Sequence, residues 1–597
     1  MIRHLLASAA LTALATAPAL AQQAFDLDEI VVSPSLSPVD PARTGATVEV
    51  IGGADLQNAD TSLVQTLSRE PGVSFSANGG LGTNTTLRIR GLDTSYIGVR
   101  INGIDVSDPS STQTGFNFGG LTSSGLGRVE ILKGSQSAIY GSEAIGGVID
   151  ITTMRPTGLG ASGEMNLEFG SFGTYAGSFG YGYASERGEV ALSYSRLSSE
   201  GISARAGDAE KDGFDQEMLS ATARYDLTDA LTVGASLLWR DSEVEIDRSA
   251  ADNSGVTFST QRGARVFAEF ETGRVGHQLA FATFQSDRRD PGGFTPTFLG
   301  ERETLEYRGT AEAGAGLTLN FGADRTEESF ELPGTTGDVT TTSVFAEALY
   351  AATDALDLSL ALRHDDHSIF GGAATGRVAA AWRATPDLTV RAVVGTGFRA
   401  PSLYELYGPY GNAALQPEES RSFELGVERA FSAGSLRATA FYTEIDDLIQ
   451  YDAVTSGYDQ VPGETVSKGL ELAGRYDLSD RIALFGNYTL TDAENNGARL
   501  TRVPRHDLVL GVDATLRAGL TGTFEVQHVA DVEASAFAPA DNKVGDYTLV
   551  NVGMTYDIAD QAEVYMRIEN LLDEDYETAG GFNTPGRAAF FGLRASF

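Results

Sequence analysis

Between Gly207 and Glu217 the chain reads GDAEKDGFDQE, which sets Asp208, Glu210, Asp212 and Asp215 two or three residues apart around a glycine. Carboxylates at this density in a glycine-bearing loop are the hard oxygen ligands that Ca²⁺ takes. An acidic, solvated loop would have the same composition, and the spacing alone leaves both readings open. The other cluster of metal-ligand types is His364-Asp365-Asp366-His367. It falls at a strand-to-loop transition, where positions i and i+3 do not share a face. No nucleophile elbow, zincin helix or Ser-His-Asp order stands out, and GGLGTN (79–84) lacks both the motif and the helix of a phosphate loop. The chain has no cysteine, which removes thiolate metal sites, thiol nucleophiles and disulfide frameworks. The chemistry on offer is binding, and no enzyme is read.

The elements that would position these residues are strands. From about Ala161 onward, segments of roughly ten residues alternate in period two between clusters of Gly, Asp, Asn, Ser and Thr. In SFELGVE, Phe423, Leu425 and Val427 share one face, and Ser422, Glu424, Gly426 and Glu428 the other. The last strand repeats this with Ala589, Phe591, Leu593, Ala595 and Phe597. A unit beginning YDLTDA, YDLSDR or YDIADQ recurs at Tyr225, Tyr476 and Tyr556, each time reading strand, tight turn, strand. Longer acidic and glycine-rich connections separate these turns. Short turns on one rim and long loops on the other describe a transmembrane barrel of about 22 strands, for which residues 158–597 suffice. Residues 36–157 read instead as a compact mixed α/β domain, with a helix in DLQNADTSLVQTLSREPGV running up to Pro71. Ahead of a wide barrel, such a domain is expected to plug the lumen.

The N-terminus reads as an export signal over residues 1–21: basic Arg3 and His4, an apolar run too short to span a bilayer, and small residues Ala19 and Ala21. Residues 22–35 then carry DEIVVS, in which β-branched Ile30, Val31 and Val32 suit an extended segment that adds to a partner's sheet edge. Pro34, Pro38 and Pro41 keep the flanking chain extended. The formal charge of −38 excludes nucleic acid as a partner.

These stretches carry a family resemblance over essentially the whole mature chain. DEIVVSPS resembles a TonB box, and LRIRG, VRINGIDV and VEILKGSQSAIYGSEAIGGVIDITT resemble the plug of TonB-dependent outer-membrane receptors. Within that family, LYGPYGNAALQPEESRSFELGVE, DDLIQYD and RIENLLDEDYETAGGFNTPGR are similar to stretches of the cobalamin receptors. The resemblance implies a multi-pass barrel in the outer membrane of a Gram-negative cell, set in lipopolysaccharide and membrane lipid. It implies that Asp28, Glu29, Ile30, Val31, Val32 and Ser33 are gripped by TonB, which draws on the inner-membrane proton gradient, and that a cobalamin (vitamin B12) or related corrinoid is taken up.

Further roles follow from the resemblance alone. It places Arg88, Arg90, Glu130 and Lys133 at the plug–barrel interface, where buried charges need partners. It assigns ligand contacts to Thr85, Leu87, Thr94, Ser111 and Thr112 of the plug and to Arg502 and Phe537 of the wall; an amide-rich solute wants hydroxyls, backbone groups and an apolar wall. It implies a structural Ca²⁺ held by Asp208, Glu210 and Asp212, with Asp247 as a further ligand. Here the chain departs from the family pattern, because Asp208 and Glu210 differ in type and Lys211 adds a positive charge. The alternatives are a ferric-siderophore or haem receptor of the same architecture, haem being disfavoured by only six histidines. A passive porin needs neither the tail nor a plug, and an adhesin role would persist without the tail.

Overall fold

A computed structural model describes residues 34–57, 60–205, 210–249, 252–452, 454–534 and 543–597. Twenty-two antiparallel strands, from Gly160–Gly170 to Ala588–Ser596, form a closed barrel. Its seam pairs Phe591 with Phe169 and Leu593 with Leu167. Alternation sorts every strand: Phe423, Leu425 and Val427 are exposed on the outside, whereas Ser422 and Glu424 are buried on the inside. An apolar belt of this extent has no counterpart on a protein that faces water, and lipid is its natural solvent.

The recurring Tyr-Asp unit has a structural cause. At each of the three turns the ladder shifts register after the aspartate, between Asp226 and Thr228, Asp477 and Ser479, and Asp557 and Ala559. The backbone N–H of each aspartate donates to a carbonyl in the neighbouring turn, Arg187, Ala433 and Gly519 respectively, at 2.6–2.8 Å. The bulge locks adjacent short turns of this rim together.

The plug is built on a mixed sheet of five strands in the order Val48–Ile51, Leu126–Lys133, Gly147–Thr153, Ile97–Ile101 and Ile104–Asp105. Only the pair Ile97–Ile101 with Gly147–Thr153 is parallel. A separate hairpin joins Val73–Ala77 to Thr85–Ile89. Leu63, Leu67, Leu87, Ile89, Ile97, Val99 and Ile149 fill the core, and Met218, Leu238 and Phe284 of the barrel wall join the same cluster. Each such side chain contributes about 1.5–3 kcal/mol by leaving water. Plug and barrel therefore share a hydrophobic core as well as a charged seam. Residues 154–159 connect the two.

The single helix expected up to Pro71 is not formed. Two short helices, Gly53–Gln57 and Leu63–Leu67, stand in its place. Ser62 bridges to Thr122, and the Leu63 N–H donates to the Leu121 carbonyl at 2.9 Å, so tertiary pairing takes the backbone groups a continuous helix would have used.

Candidate functional site

The seam between plug and wall carries its charge at a few points. Arg90 follows the end of strand Thr85–Ile89 with φ 53°, a turn eased by Gly91 at φ 81°. Its guanidinium meets Glu471 twice, at 2.9 and 3.1 Å, and Glu424 at 2.5 Å. Phe441 lies 4.8 Å beneath it. Lys133, fully enclosed, reaches Glu49 at 2.9 Å and Glu471 at 3.5 Å, and also bonds the Pro71 carbonyl. Two plug cations thus sit on two wall carboxylates. Arg88 donates to Ser76 at 2.9 Å and Glu130 meets Arg128 at 3.0 Å, both partners belonging to the plug. Arg90 leaves the strand direction of Arg88 through its positive φ, and Glu130, three residues from Lys133 on one strand, faces the opposite side.

One further cluster joining wall and plug was invisible in the sequence because Arg302 lies far along the chain from Asp105 and Glu143. Arg302 of the wall meets Asp105 at 2.6 Å, Glu328 at 2.5 Å and Glu143 at 3.7 Å. Burial pushes the Glu143 carboxyl up to about 8, with Arg302 opposing and Glu328 and Asp105 adding to the effect. Arg399 is enclosed between Glu405 and Glu418 and fixes the short helix Leu403–Tyr407, whose Ser402 and Glu405 form a capping box. On the inner wall, Ser35 donates to Glu347 at 2.6 Å, the Leu36 N–H donates to the same oxygen at 3.0 Å, and Arg377 donates to the Pro34 carbonyl at 2.9 Å. Residues 34–36 are therefore tied to the wall. Asp28, Glu29, Ile30, Val31, Val32 and Ser33 lie outside the described residues.

The expected ligand contacts divide. Thr112 is exposed at the outward end of the plug, and its carbonyl accepts from Ser402 at 3.1 Å. Ser111 beside it turns its hydroxyl back onto the Asp108 carbonyl at 2.8 Å. Thr94 is half-buried in a short 3₁₀ turn. Arg502, at φ 61°, reaches Asn78 of the plug at 3.4 Å. Thr85 is buried, with its N–H donated to Asn117 at 3.0 Å, and Leu87 is wholly enclosed in the plug core. Alternation along Thr85–Ile89 turns the Leu87 side chain into the core, so this placement offers no ligand contact. Phe537 lies outside the described residues.

Glu210, Asp212 and Asp247 bring carboxylate oxygens within 4.8 Å of one another. Asp212 accepts from the Ala204 N–H at 2.6 Å and Asp247 from the Arg205 N–H at 3.0 Å, so both are oriented by one loop backbone. Lys211 pairs with Glu200, and Asp215 lies 3.8 Å from Arg196 on an exposed face; neither joins the trio. Asp208 lies outside the described residues. Three convergent carboxylates suit a hard divalent cation such as Ca²⁺. In the strand Leu356–His367, His364 points outward and His367 inward, so they share no site.

The chain matches the family "TonB dependent receptor-like, beta-barrel" over residues 159–571 and "TonB-dependent Receptor Plug Domain" over residues 40–148. It belongs to the TonB-dependent receptors, outer-membrane transport proteins and not enzymes. Among relatives, it is 27% identical to the vitamin B12 transporter BtuB of Vibrio cholerae over 97% of each chain, and 27% identical to that of Photobacterium profundum over 89% of each. Among solved structures it resembles a ferric enterobactin receptor, PfeA of Pseudomonas aeruginosa, with TM-score 0.79 and 18% identity over 93% of this chain and 100% of that one. The siderophore receptor PirA of Acinetobacter baumannii gives TM-score 0.77 and 18% identity over 92% and 98%. At these identities the structural likeness speaks for the fold.

Proposed function

We propose that this receptor captures cobalamin or a related corrinoid on its outward face and carries it across the outer membrane with energy delivered by TonB. The observation behind the substrate is the 27% identity to vitamin B12 transporters over 97% of each chain. The siderophore reading rests on a fold that both kinds of receptor share. The seam of Arg90, Lys133, Glu424 and Glu471 supports active transport, because a solute can pass only if the plug shifts, and separating buried ion pairs takes work. In this reading TonB takes the segment Asp28–Ser33 by strand addition and pulls on the plug. Asp208, Glu210, Asp212 and Asp247 would hold Ca²⁺, a hard cation that cross-links the outward loops.

The reading is tested by titrating cyanocobalamin into the purified protein in detergent, with calcium and then with chelator, and by measuring uptake in cells after deletion of Asp28–Ser33. Tight binding that weakens on chelation, with uptake lost but binding kept in the deletion, is the expected result. Uptake that continues without the segment overturns energised transport, and absence of binding overturns the corrinoid.

A further inference from the structure

On the lipid-facing surface two glycines stand directly opposite each other, Gly474 and Gly486, on the neighbouring strands Glu464–Ser479 and Ile482–Asn495. Leu436 pairs with Gly474 on one side and Leu510 with Gly486 on the other, so one row across four strands reads Leu, Gly, Gly, Leu. Both leucines lean over the glycine floor: a Cβ on Gly474 would lie 3.2 Å from Leu436 Cδ1, and one on Gly486 2.8 Å from Leu510 Cδ2. The adjacent rows close the two ends with the pairs Leu472–Tyr488 and Tyr476–Leu484. The result is a concavity of about 430 Å³, with Phe431 at its edge. It lies beside the short-turn rim, because Tyr476 opens one of the repeated Tyr-Asp turns. Arg429 continues the row: it stands opposite Leu436 and shares the outward face of its strand with Val427 and Phe431. Its guanidinium covers the Phe431 ring at 5.3 Å, and its ion pair with Asp387 is long, 3.7 Å, and exposed.

We propose that this concavity seats one acyl chain of a glycerophospholipid from the leaflet on the short-turn side, with the phosphate held by Arg429. The concavity opens onto the belt that meets lipid, so hydrocarbon is the medium at its mouth. A methylene chain laid over Gly474 and Gly486 restores the dispersion contacts that the missing side chains leave unmade. Phe431 and Tyr476 mark the layer where aromatic rings meet headgroups, which brings a phosphate within reach of the same row. An arginine on a lipid-facing strand is unfavourable unless it reaches that layer and an anion, and a guanidinium pairs with phosphate through two parallel hydrogen bonds. Asp387 beside it complements the ammonium of an ethanolamine headgroup. The wall is one sheet thick here. Arg437 and Glu471, which hold Glu49, Arg90 and Lys133 of the plug, project inward from the two strands that carry Leu436 and Gly474. A seated lipid therefore stiffens the piece of wall on which the plug's ion pairs rest.

The experiment uses the full chain, delipidated in detergent, with dioleoylphosphatidylethanolamine and the uncharged dioleoylglycerol as probes. Native mass spectrometry counts the bound lipids, and heat-dependent gel mobility checks that each variant keeps its barrel. The wild type is compared with Gly474→Leu, which fills the floor, with Arg429→Gln and with Arg429→Lys. The expected result is one phospholipid that outlasts all others as collision energy rises, its affinity lowered about tenfold by Gly474→Leu and by Arg429→Gln and partly restored by Arg429→Lys. Gly474→Leu crowds the Ser435 carbonyl, 3.0 Å from its Cβ; should that variant not fold, Arg429→Gln on the outer surface decides alone. A phospholipid held equally well by both variants, or dioleoylglycerol held as well as the phospholipid, overturns the proposal. Paired copies of the receptor that disappear in Gly474→Leu, with no lipid adduct, also overturn it and assign the concavity to a second copy of the chain.

Discussion

The guanidinium of Arg90 lies against the carboxylate of Glu471 with two parallel contacts of 2.9 and 3.1 Å, and neither side chain is more than 5% exposed. A bidentate pair of this kind fixes orientation as well as distance. Removing the cation leaves buried Glu471 with Lys133 at 3.5 Å and buried Glu424 with the Thr47 hydroxyl. Arg90→Ala is expected to weaken plug docking by about 3–5 kcal/mol, seen as a lower urea midpoint for plug release and a higher single-channel conductance in planar bilayers.

Glu143, at the outer end of the plug, is expected to make plug stability depend on pH. Burial raises its carboxyl from an ordinary 4.5 to about 8, so the folded plug holds this proton at neutral pH and the unfolded plug does not. The stability tied to that proton is complete below about 4.5 and is lost as pH climbs through about 8. Unfolding midpoints measured across that range should fall with pH in the wild type and follow a flatter course in Glu143→Gln.

Glu347 accepts from Ser35, from the Leu36 backbone and from Asn320 at 2.6–3.0 Å. Glu347→Ala removes the acceptor that these donors share. Limited proteolysis of the N-terminal segment should speed up severalfold, while ligand affinity at the opposite rim stays as it was.

Asp212 and Asp247 each hold a backbone N–H of the loop Ala204–Arg205 and converge with Glu210. If they hold Ca²⁺, Asp212→Asn with Asp247→Asn should lower ligand affinity by about tenfold and abolish its sensitivity to chelator, since a hard cation loses two anionic ligands. Isothermal titration with calcium alone checks the cation directly.

The barrel was legible because its rule is local. The alternation through Phe423, Leu425 and Val427 states which face meets lipid, and the repeated Tyr-Asp turn marks one rim. In the acidic trio, Glu210 and Asp212 are neighbours in sequence, whereas Asp247 comes from another loop and was named only through the family resemblance. The plug was legible in composition but not in detail. Its first long helix breaks where Ser62 pairs with Thr122, and Leu87 belongs to the core although it sits in a hydroxyl-rich stretch. Arg88 and Arg90 are two residues apart, yet one turns into the plug and the other to the wall, a difference set by a single positive φ.

The pairing of strand Gly160–Gly170 with strand Ala588–Ser596 also governs how the molecule can be made. The barrel's earliest strand waits for its latest, so throughout synthesis and export the chain can form at most an open sheet with two unsatisfied edges. Such edges invite pairing with other chains. Cylinder formation is thus a single late event with high contact order, and the plug, translated first, must either wait outside or be enclosed as the seam zips. A lesion in Ala588–Ser596 would accordingly act on biogenesis, depleting the receptor from the membrane before any ligand is met.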